Sequence, residues 1–230
     1  MSYASEVLAD SPRAWYRMNE ASGLPQDSSG NGNHADEVAG TPVYNQTGPI
    51  TNDGAAKAIT LGGSAYFGIP DAVSLDLGQL FTLEGWVKRG VTGVEGAILV
   101  KYSGYGIFID SGNHLAYGWS NVGYIVVSTT TITDTTTWHH LVATKNGTTS
   151  HLYIDNVDRT GTVTDLTIAD NANKLYIGSE STATIINATV AELAVYPTEL
   201  SAARVSAHYT AATAAAAAGR YLDVPLLGAG

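Results

Sequence analysis

The sequence predicts an all-β protein, an antiparallel sandwich or barrel of many short strands with one short helix near its C-terminus. Three observations indicate this class. Short segments that alternate apolar and polar residues recur along the chain, and Gly, Asn and Asp separate them at short intervals. Glycine is abundant, with 25 residues, and only 14% of the residues are charged, as in proteins whose strands are joined by tight turns. Strands do not alternate with helices, so a parallel α/β fold is not expected.

The composition limits the domain count and the classes of partner. A length of 230 residues with 44% hydrophobic content is enough for one domain with a substantial core. Acidic residues outnumber basic ones by 21 to 11, and Lys and Arg do not cluster, so we expect no nucleic-acid partner. The longest apolar stretch is far shorter than the ~20 residues of a membrane helix, and residues 1–10 lack the pattern of a secretion signal. The absence of cysteine excludes disulfides, thiol nucleophiles and cysteine-based zinc sites.

The predicted elements follow from alternation and from the turn residues between segments. Strands are predicted at 14–20, 58–61, 65–69, 81–88, 97–101, 106–110, 114–119, 124–131, 138–146, 150–154, 174–177 and 188–196. Residues 27–33 are seven turn-forming residues in succession and form the most distinctive loop. A single helix is predicted to begin at Ser201, whose hydroxyl caps the first amides while Leu200 and Val205 form a hydrophobic staple. It ends near Tyr209 or continues through the alanines.

Four separated motifs carry a resemblance to a known family. They are WYRMNE at 15–20 followed by DSSGNG at 27–32, FTLEGWVK at 81–88, WHHLVAT at 138–144 with LYID at 152–155, and AELAVY at 191–196 leading through 200–201 to 208–209. In this order they resemble the laminin-G-like, concanavalin-A-like jelly-roll family of bacteria and phages, over roughly the first nine-tenths of the chain. The resemblance implies a jelly-roll sandwich of two antiparallel sheets at 1–209, in which the first and last strands pair. An Ala-rich arm and an apolar tail follow at 210–230.

The loop at 27–33 is a candidate for one structural calcium ion. Calcium prefers oxygen ligands from carboxylates, amides and backbone carbonyls, and an Asp/Asn/Gly loop supplies them at close range. If the first and last strands pair, as the resemblance implies, Glu20 or Glu192 completes the ligand shell from beneath the loop. The candidate ligands are Asp27, Gly30, Asn31, Asn33, Glu20 and Glu192. In the alternative interpretation Asp27 and Asn31 form side-chain-to-backbone turns, and Glu192 is salt-bridged or hydrogen-bonded.

Aromatic and amide side chains in the middle of the chain are candidates for glycan binding. Such binding needs an exposed aromatic plane beside short polar groups. The candidates are Tyr102, Tyr105, Tyr117, Trp119, Asn121 and Tyr124. Tyr117 and Trp119 share a strand face with Leu115, which favours a core position for both. Tyr105 and Tyr124 are expected in loops and are the better contact candidates.

The sequence contains no pattern that indicates catalysis. Glycosidases need two carboxylates about 5 to 10 Å apart, whereas Glu84 stands alone on its strand and no glutamate has an aspartate two residues on. Neither a Gly-x-Ser-x-Gly sequence nor a Gly-rich phosphate loop is present. His139 and His140 are successive strand residues and point to opposite faces, so they cannot serve one site. His140 shares a face with Val142 and is predicted to be a hydrogen-bonded structural residue. We therefore predict a protein that is not an enzyme.

Two functions of different classes are compatible with the resemblance and the tail. The first is a virion structural protein, a phage minor tail or capsid-surface decoration protein, whose lectin-like jelly roll binds host-surface glycans. Its tail docks on other virion proteins or on copies of the chain in a homo-oligomer, because an exposed Leu-Leu end would forgo burial worth ~25 cal/mol per Å². The tail residues are Tyr221, Leu222, Val224, Leu226 and Leu227. The alternative is a carbohydrate-binding module of a secreted or cell-surface bacterial protein or glycosidase, in which the Ala-rich stretch is a linker.

Overall fold

Two antiparallel sheets pack face to face in the computed structural model, which describes residues 1–51, 56–119, 123–181 and 183–214. The strands in chain order are β1 (Ala14–Tyr16), β2 (Glu37–Ala39), β3 (Val43–Thr47), β4 (Lys57–Leu61), β5 (Tyr66–Ile69), β6 (Leu80–Arg89), β7 (Gly96–Lys101), β8 (Tyr105–Ile109), β9 (His114–Trp119), β10 (Gly123–Thr131), β11 (His139–Asn146), β12 (Thr149–Ile154), β13 (Val157–Asp158), β14 (Leu175–Ile177) and β15 (Ala188–Tyr196). A short 3₁₀ turn at Val73–Leu75 lies between β5 and β6. The two-sheet antiparallel sandwich is thereby confirmed.

The strand order places β6 and β15 side by side in the middle of the first sheet. That sheet runs β13-β12-β11-β6-β15-β4-β3, and β1 also pairs with β15. Trp15 of β1 lies opposite Ala194 of β15, so the first and last strands of the sandwich pair as expected. The second sheet runs β10-β9-β8-β7-β14-β5-β2. Strands that are adjacent in these sheets are often far apart in the sequence. Their pairing brings the N-terminal and C-terminal strands into one domain.

The main core lies between the two sheets because alternate residues of each strand point inward. In β8, Tyr105 and Ile107 belong to this core, whereas Phe108 belongs to a small cluster on the outer face of the second sheet. The rings of Phe81 in the first sheet and Tyr117 in the second pack edge to face, with centroids 5.7 Å apart. The inter-sheet space is therefore filled by side chains from both layers.

Two helices, α1 (Tyr3–Ala9) and α2 (Ala202–Thr213), pack on the outer face of the first sheet. The predicted start of α2 is confirmed, because the Ser201 hydroxyl accepts a hydrogen bond from the Arg204 amide. Leu200 and Val205, the predicted staple, are both buried. Neither described helix is long and apolar enough to cross a membrane.

Helix α1 contradicts the expectation of a single helix. It has seven residues, and Tyr3 and Val7, one helical turn apart, are its buried apolar side chains. Two such residues are too few to show a helical period, and a helix this short depends on tertiary packing for its stability. The alternation pattern therefore could not identify it.

The strands that the sequence did not predict lie at sheet edges. β2 and β3 are the end strands of the two sheets, and β13 contributes only two residues. Their side chains are mostly exposed or half-buried, which leaves little alternation to detect. Conversely, one predicted strand is shorter than expected. The strand predicted at 14–20 ends at Tyr16, and Met18 has a φ of 59°, outside the extended conformation.

The first residues of the predicted C-terminal arm at 210–230 belong to helix α2. α2 continues to Thr213, four residues beyond the predicted domain end at 209, and Ala211 and Ala212 are buried. The predicted tail contacts of residues 221–227 lie outside the described residues.

Candidate functional site

The outer face of the second sheet carries an aligned row of residues that crosses all seven strands. Cross-strand pairing places one residue of each strand directly opposite the next along this row. From β10 to β2 they are Tyr124, Gly118, Gly106, Val100, Tyr176, Gly68 and Glu37. We call these seven residues the cross-sheet row. Three of them are glycines, so side chains of the adjacent strands can pack flat against the backbone at these positions.

Tyr124 lies at the β10 end of the cross-sheet row and is half-buried. A side chain on Gly118 would come within 2.8 Å of the Tyr124 Cα and 3.0 Å of its Cδ1, so the Tyr124 ring rests in the space that this glycine leaves. Its other neighbour is Phe108, at a centroid distance of 5.8 Å. The hydroxyl of Tyr124 donates to the Glu95 carboxylate. Partial burial and the adjacent Glu95 charge raise the pKa of Tyr124, so the ring stays neutral.

A second aromatic pair lies towards the other end of the row. The rings of Tyr66 and Tyr176 meet edge to face with centroids 5.9 Å apart, and Tyr176 is half-exposed. Beside them the Lys174 ammonium binds the carboxylates of Asp36 and Glu37 at 2.7 and 2.9 Å. Hydrogen bonds from these two carboxylates raise the pKa of Lys174, so this part of the face keeps one positive and two negative charges.

This face can bind a ligand that offers apolar faces and hydroxyl groups together. Half-exposed tyrosine rings suit stacking, and Glu95, Glu37 and Lys174 supply hydrogen-bond acceptors and a donor nearby. The two carboxylates, however, belong to different parts of the sheet. Glu95 directly precedes β7, which lies three strand spacings of about 4.8 Å, roughly 14 Å, from β2, which carries Glu37. Two carboxylates at such a separation cannot act together on one glycosidic bond.

The structure sorts the predicted glycan-binding residues into different environments. Tyr124 is on the outer face, although it lies in β10 and not in a loop. The expectation that Tyr105 lies in a loop and contacts ligand was wrong, because Tyr105 is 1% exposed in β8 and its hydroxyl donates to the Leu75 carbonyl inside the core. Tyr117 is fully buried, in the core position that its strand face favoured, so it too is not a surface candidate. Tyr102 follows β7, and its backbone carbonyl accepts a hydrogen bond from the Asn173 side chain. The Trp119 side chain and Asn121 lie outside the described residues.

Tyr66 and Tyr176 were not among the predicted candidates. Each occupies a short strand next to a core residue, Phe67 and Ile177 respectively, and alternation alone places them on the opposite face from that neighbour. The sequence does not show which face is solvent-exposed or that β5 and β14 are adjacent. Strand order was therefore the missing information.

The loop at 27–33 is organised by hydrogen bonds to its own backbone and to β1. The Asp27 carboxylate accepts the backbone amides of Trp15, Ser29 and Asn33 at 2.9 to 3.0 Å. The side-chain amide groups of Asn31 and Asn33 donate to the Arg13 carbonyl at 3.2 and 2.7 Å. These contacts match the turn-forming interpretation of Asp27 and Asn31.

Several of the predicted calcium ligands make hydrogen bonds in this arrangement. Asn33 Oδ1 accepts from the Ser74 hydroxyl, and Gly30 is exposed at the loop tip. Glu20 accepts the Gln26 amide, and Glu192 accepts Trp15 Nε1 at 2.8 Å beside the Arg17 guanidinium. The described part of the chain contains no group of three or more His, Asp or Glu side chains suited to a metal ion. These hydrogen bonds use oxygens that an ion would need, and calcium binding stays a prediction.

Asp27→Ala is expected to lower the free energy of unfolding by about 1–3 kcal/mol, because it leaves three backbone amides without their acceptor. Under the turn-forming interpretation, the loss should be the same with calcium or with a chelator, and the melting temperature of the unaltered protein should not differ between the two. Thermal unfolding monitored by circular dichroism measures both. A melting temperature that rises with calcium would contradict this expectation, because an ion bound only by the native state raises stability.

A buried polar cluster ties both helices to the first sheet. The carboxylate of Glu84, in β6, is fully buried and accepts hydrogen bonds from four side chains. The donors are the hydroxyls of Tyr3 and Tyr196 at 3.2 and 2.6 Å, His140 Nε2 at 2.7 Å and His208 Nδ1 at 3.0 Å. The predicted structural role of His140 is confirmed. Because Glu84, His140 and His208 are inaccessible to solvent, the cluster positions the helices and cannot contact a substrate.

His208 lies between two carboxylates in this cluster. Its second nitrogen, Nε2, lies 2.9 Å from the Asp10 carboxylate of α1, so both ring nitrogens face carboxylates. Burial by itself would lower the pKa of His208, but the charges of Glu84 and Asp10 raise it above its usual value. Burial would likewise raise the pKa of Glu84, but the His208 charge and the hydrogen bonds from His140 and His208 hold it well below its usual range.

His139 faces the other way from His140, as predicted, and bridges two loops. Its Nδ1 lies 2.7 Å from Asp155 and its Nε2 lies 2.8 Å from Asp134. The hydrogen bond with Asp155 and the contact with Asp134 raise the pKa of His139, and in return His139 lowers the pKa of Asp134 to about 2. This histidine joins the segment before β11 to the turn after β12.

Solved structures with similar folds include proteins of several kinds. Domain 4 of AbnA, a GH43 extracellular arabinanase from Geobacillus stearothermophilus, in complex with arabinotriose, is 19% identical with a TM-score of 0.67, over 86% of this chain and 98% of that domain. The binding domain of Paraclostridial Mosquitocidal Protein 1 is 16% identical with a TM-score of 0.64, over 88% of this chain and 52% of that one. The Trypanosoma rangeli sialidase in complex with the inhibitor DANA is 13% identical with a TM-score of 0.58, over 86% of this chain and 32% of that one. Identities this low show a shared fold alone.

The family is shown by the sequence itself. A comparison with curated protein sequences finds no match. The family model described as the concanavalin A-like lectin/glucanases superfamily (Laminin_G_3) matches residues 61–206, which is more than half of the chain and contains β5 to β15. This match confirms the resemblance to the family, and it includes the motifs at 81–88, 138–155 and 191–196. The chain belongs to the concanavalin A-like lectin/glucanases superfamily.

Proposed function

We propose that this protein is a non-catalytic carbohydrate-binding module and that the outer face of the second sheet is its binding surface. The observation that carries the proposal is the position of Tyr124. Its ring is half-buried against Gly118 at one end of the cross-sheet row, and its hydroxyl is held by Glu95. A ring fixed in this way loses little conformational entropy when a sugar stacks on it.

The rest of the cross-sheet row supports an extended ligand. Tyr176 offers a second half-exposed ring four strand spacings from Tyr124, at about 19 Å from the 4.8 Å strand spacing. That span suits an oligosaccharide of a few units better than a single sugar. Glu37 and Lys174 beside Tyr176 can exchange hydrogen bonds with hydroxyl groups. The similar fold of an arabinanase domain solved with arabinotriose supports a sugar as the ligand class.

Tyr124→Ala is expected to weaken oligosaccharide binding at least about tenfold, which corresponds to about 1.4 kcal/mol. The loss follows from removing the stacking ring at the end of the row. Titration calorimetry with arabinotriose, preceded by a glycan array to include other neutral oligosaccharides, measures it.

The matched control is Tyr44→Ala. Tyr44 is also a half-buried tyrosine, but it lies in β3 at the edge of the other sheet. It should leave the affinity within about twofold of the unaltered protein, with folding of both variants checked by circular dichroism. Equal affinity of the Tyr124 variant and the unaltered protein for every glycan that binds would refute this surface.

The virion role stays a second candidate that rests on the sequence of the tail. The apolar residues 221–227 favour docking on another protein or on a second copy of the chain. A virion-surface location, a homo-oligomer and host-surface glycans as ligands are predictions that depend on this role. A secreted or cell-surface carbohydrate-binding module needs none of them, and the two roles share the proposed glycan-binding face.

A further inference from the structure

A groove lies between the two helices on the outer face of the first sheet. It has a volume of about 400 Å³. The residues that line it include Met1, Glu6, Ala203, Ala207, Ala211 and Ala214. Glu6 has the only charged side chain among these six, and its carboxylate is buried and pairs with Arg204 at 2.8 Å. The groove therefore offers a mainly apolar surface of small side chains.

Helix α2 presents a second apolar face to this groove. Its first apolar face, which includes Val205, is buried against the sheet. On the groove side Ala203, Ala207 and Ala211 follow one another at intervals of four residues, so they lie on one side of the helix. Arg204 is the only Lys, Arg, Asp or Glu among the twelve residues of α2. A helix face that remains in water usually carries charged residues, so the alanine face is suited to being covered.

The chain itself supplies an apolar segment that begins near this groove. Helix α2 ends at Thr213, and Ala214, which lines the groove, has an extended backbone conformation that leads the chain out of the helix. The sequence continues with AAAAGR at 215–220 and YLDVPLL at 221–227, where Asp223 is the only charged residue. Left in water, the second of these segments would forgo burial worth ~25 cal/mol per Å².

The residues between Ala214 and the apolar segment are numerous enough for the segment to return to the groove. From Ala203 to Ala214 the chain rises about 16 Å along α2, at about 1.5 Å per residue. Residues 215–220 can span up to about 20 Å and residues 221–227 up to about 23 Å, at about 3.3 Å per residue. Gly219 allows the chain to reverse direction between them. A linker this short gives the segment a local concentration in the millimolar range, which a second copy in dilute solution does not reach.

We propose that residues 221–227 dock in the groove between α1 and α2 of the same chain. The leucines of the segment then cover the alanine face of α2, and both apolar surfaces leave water. Pro225 lacks a backbone N–H and suits an extended segment better than a helix. A tail docked in this way needs no other protein to bury it. The groove lies on the first sheet, so the docked tail leaves the proposed glycan-binding face on the second sheet free.

Single cysteines test this docking, because the chain contains no cysteine of its own. Ala203→Cys and Thr210→Cys each place a thiol in the groove, and Ala202→Cys, one residue before Ala203 and outside the groove, is the matched control. All three residues are exposed in the part of the chain that the structure describes. In the full chain a maleimide is expected to modify the groove thiols at least about fivefold more slowly than the control thiol, because the docked segment covers them. Mass spectrometry at successive times measures the rates.

A charged tail supplies the second comparison. When Leu222→Asp and Leu226→Asp are combined with each cysteine, the segment should leave the groove, because burying an unpaired carboxylate is costly. The groove and control thiols should then react at rates within about twofold of each other, as exposed positions do. Circular dichroism checks that every variant folds. Groove thiols that react as fast as the control in the full chain would overturn the inference, and so would slow reaction that persists with the charged tail.

Dilution separates the same chain from a second copy as the source of the docked segment. Protection of the groove thiols by the same chain should not change when the protein is diluted about tenfold, because intramolecular docking does not depend on concentration. Sedimentation velocity should show a monomer at both concentrations. Protection that weakens on dilution, together with a dimer at the higher concentration, would assign the groove to the tail of a second copy and overturn docking within one chain.

Discussion

Replacing Glu84 by glutamine is expected to lower the free energy of unfolding by about 3–5 kcal/mol, which is the usual cost of removing one partner of a buried ion pair. The four donors around this carboxylate come from α1, α2, β11 and β15. A glutamine has one acceptor oxygen, and its NH₂ group would face donors. The His208 imidazolium would also lose its nearest buried counter-charge. Urea unfolding followed by circular dichroism measures the loss.

The control for this variant is Glu199→Gln. Glu199 accepts one exposed hydrogen bond from Asn146, so its replacement should change stability by less than about 0.5 kcal/mol. Because Glu84 joins the two helices to the sheet, limited proteolysis of Glu84→Gln should cut first at the chain termini. A loss below about 1 kcal/mol for Glu84→Gln would mean that the helices are held mainly by their apolar contacts.

Stability is expected to be greatest between about pH 4.5 and 6.5 and to fall above that range as His208 loses its proton. The folded-state pKa of His208 is raised above 6.5, so its contribution is complete below 6.5 and is lost as the pH rises through the folded value. The folded-state pKa of Glu84 is lowered from 4.5, so its contribution is complete above 4.5 and is lost as the pH falls through the folded value. The groups that face His208 are Glu84 of β6, Asp10 and Tyr3 of α1, Tyr196 of β15 and, on its own helix, Arg204 through Asp10.

The melting temperature measured from pH 5 to pH 9 tests this dependence. His208→Gln should be less stable at pH 6 and should show a shallower decline at alkaline pH. Some decline should remain, because hydrogen bonds with Asp155 and Asp134 raise the pKa of His139 as well. His139→Gln should remove that remaining part and keep the part due to His208. If His208→Gln declines as steeply as the unaltered protein, the ionised form of His208 is not what stabilises the helices.

Tyr105 and Tyr124 show which features of the candidate site could be predicted from the sequence and which could not. Both tyrosines were expected in loops and were therefore the better contact candidates. Tyr105 is the first residue of β8 and its ring points inward, whereas Tyr124 is the second residue of β10 and its ring points outward. The two faces of a strand differ only in what other strands and layers cover them. A local pattern does not contain that information.

The partners in the buried cluster around Glu84 also could not be predicted from local sequence patterns. Glu84 looked isolated in the sequence because its partners are remote, the nearest being His140 at a separation of 56 residues and the farthest His208 at 124. The strand face of His140 was predictable, since residues 139 and 140 must point to opposite sides. Its partner was not, because it depends on the pairing of β11 with β6. The buried Arg89 at the end of β6 likewise donates to Asn113 and to the Ile132 carbonyl, which only the folded chain brings to it.

The sequence by itself determined the fold class, most strands, the start of α2 and the family, because alternation, turn residues and helix caps are local properties that short segments carry. Only the tertiary structure decided which tyrosines face solvent and which carboxylate His140 and His208 share. It also decided which hydrogen bonds the side-chain oxygens of the loop at 27–33 accept. These properties depend on contacts between residues far apart in the chain, and burial and charge pairing exist only once those residues meet.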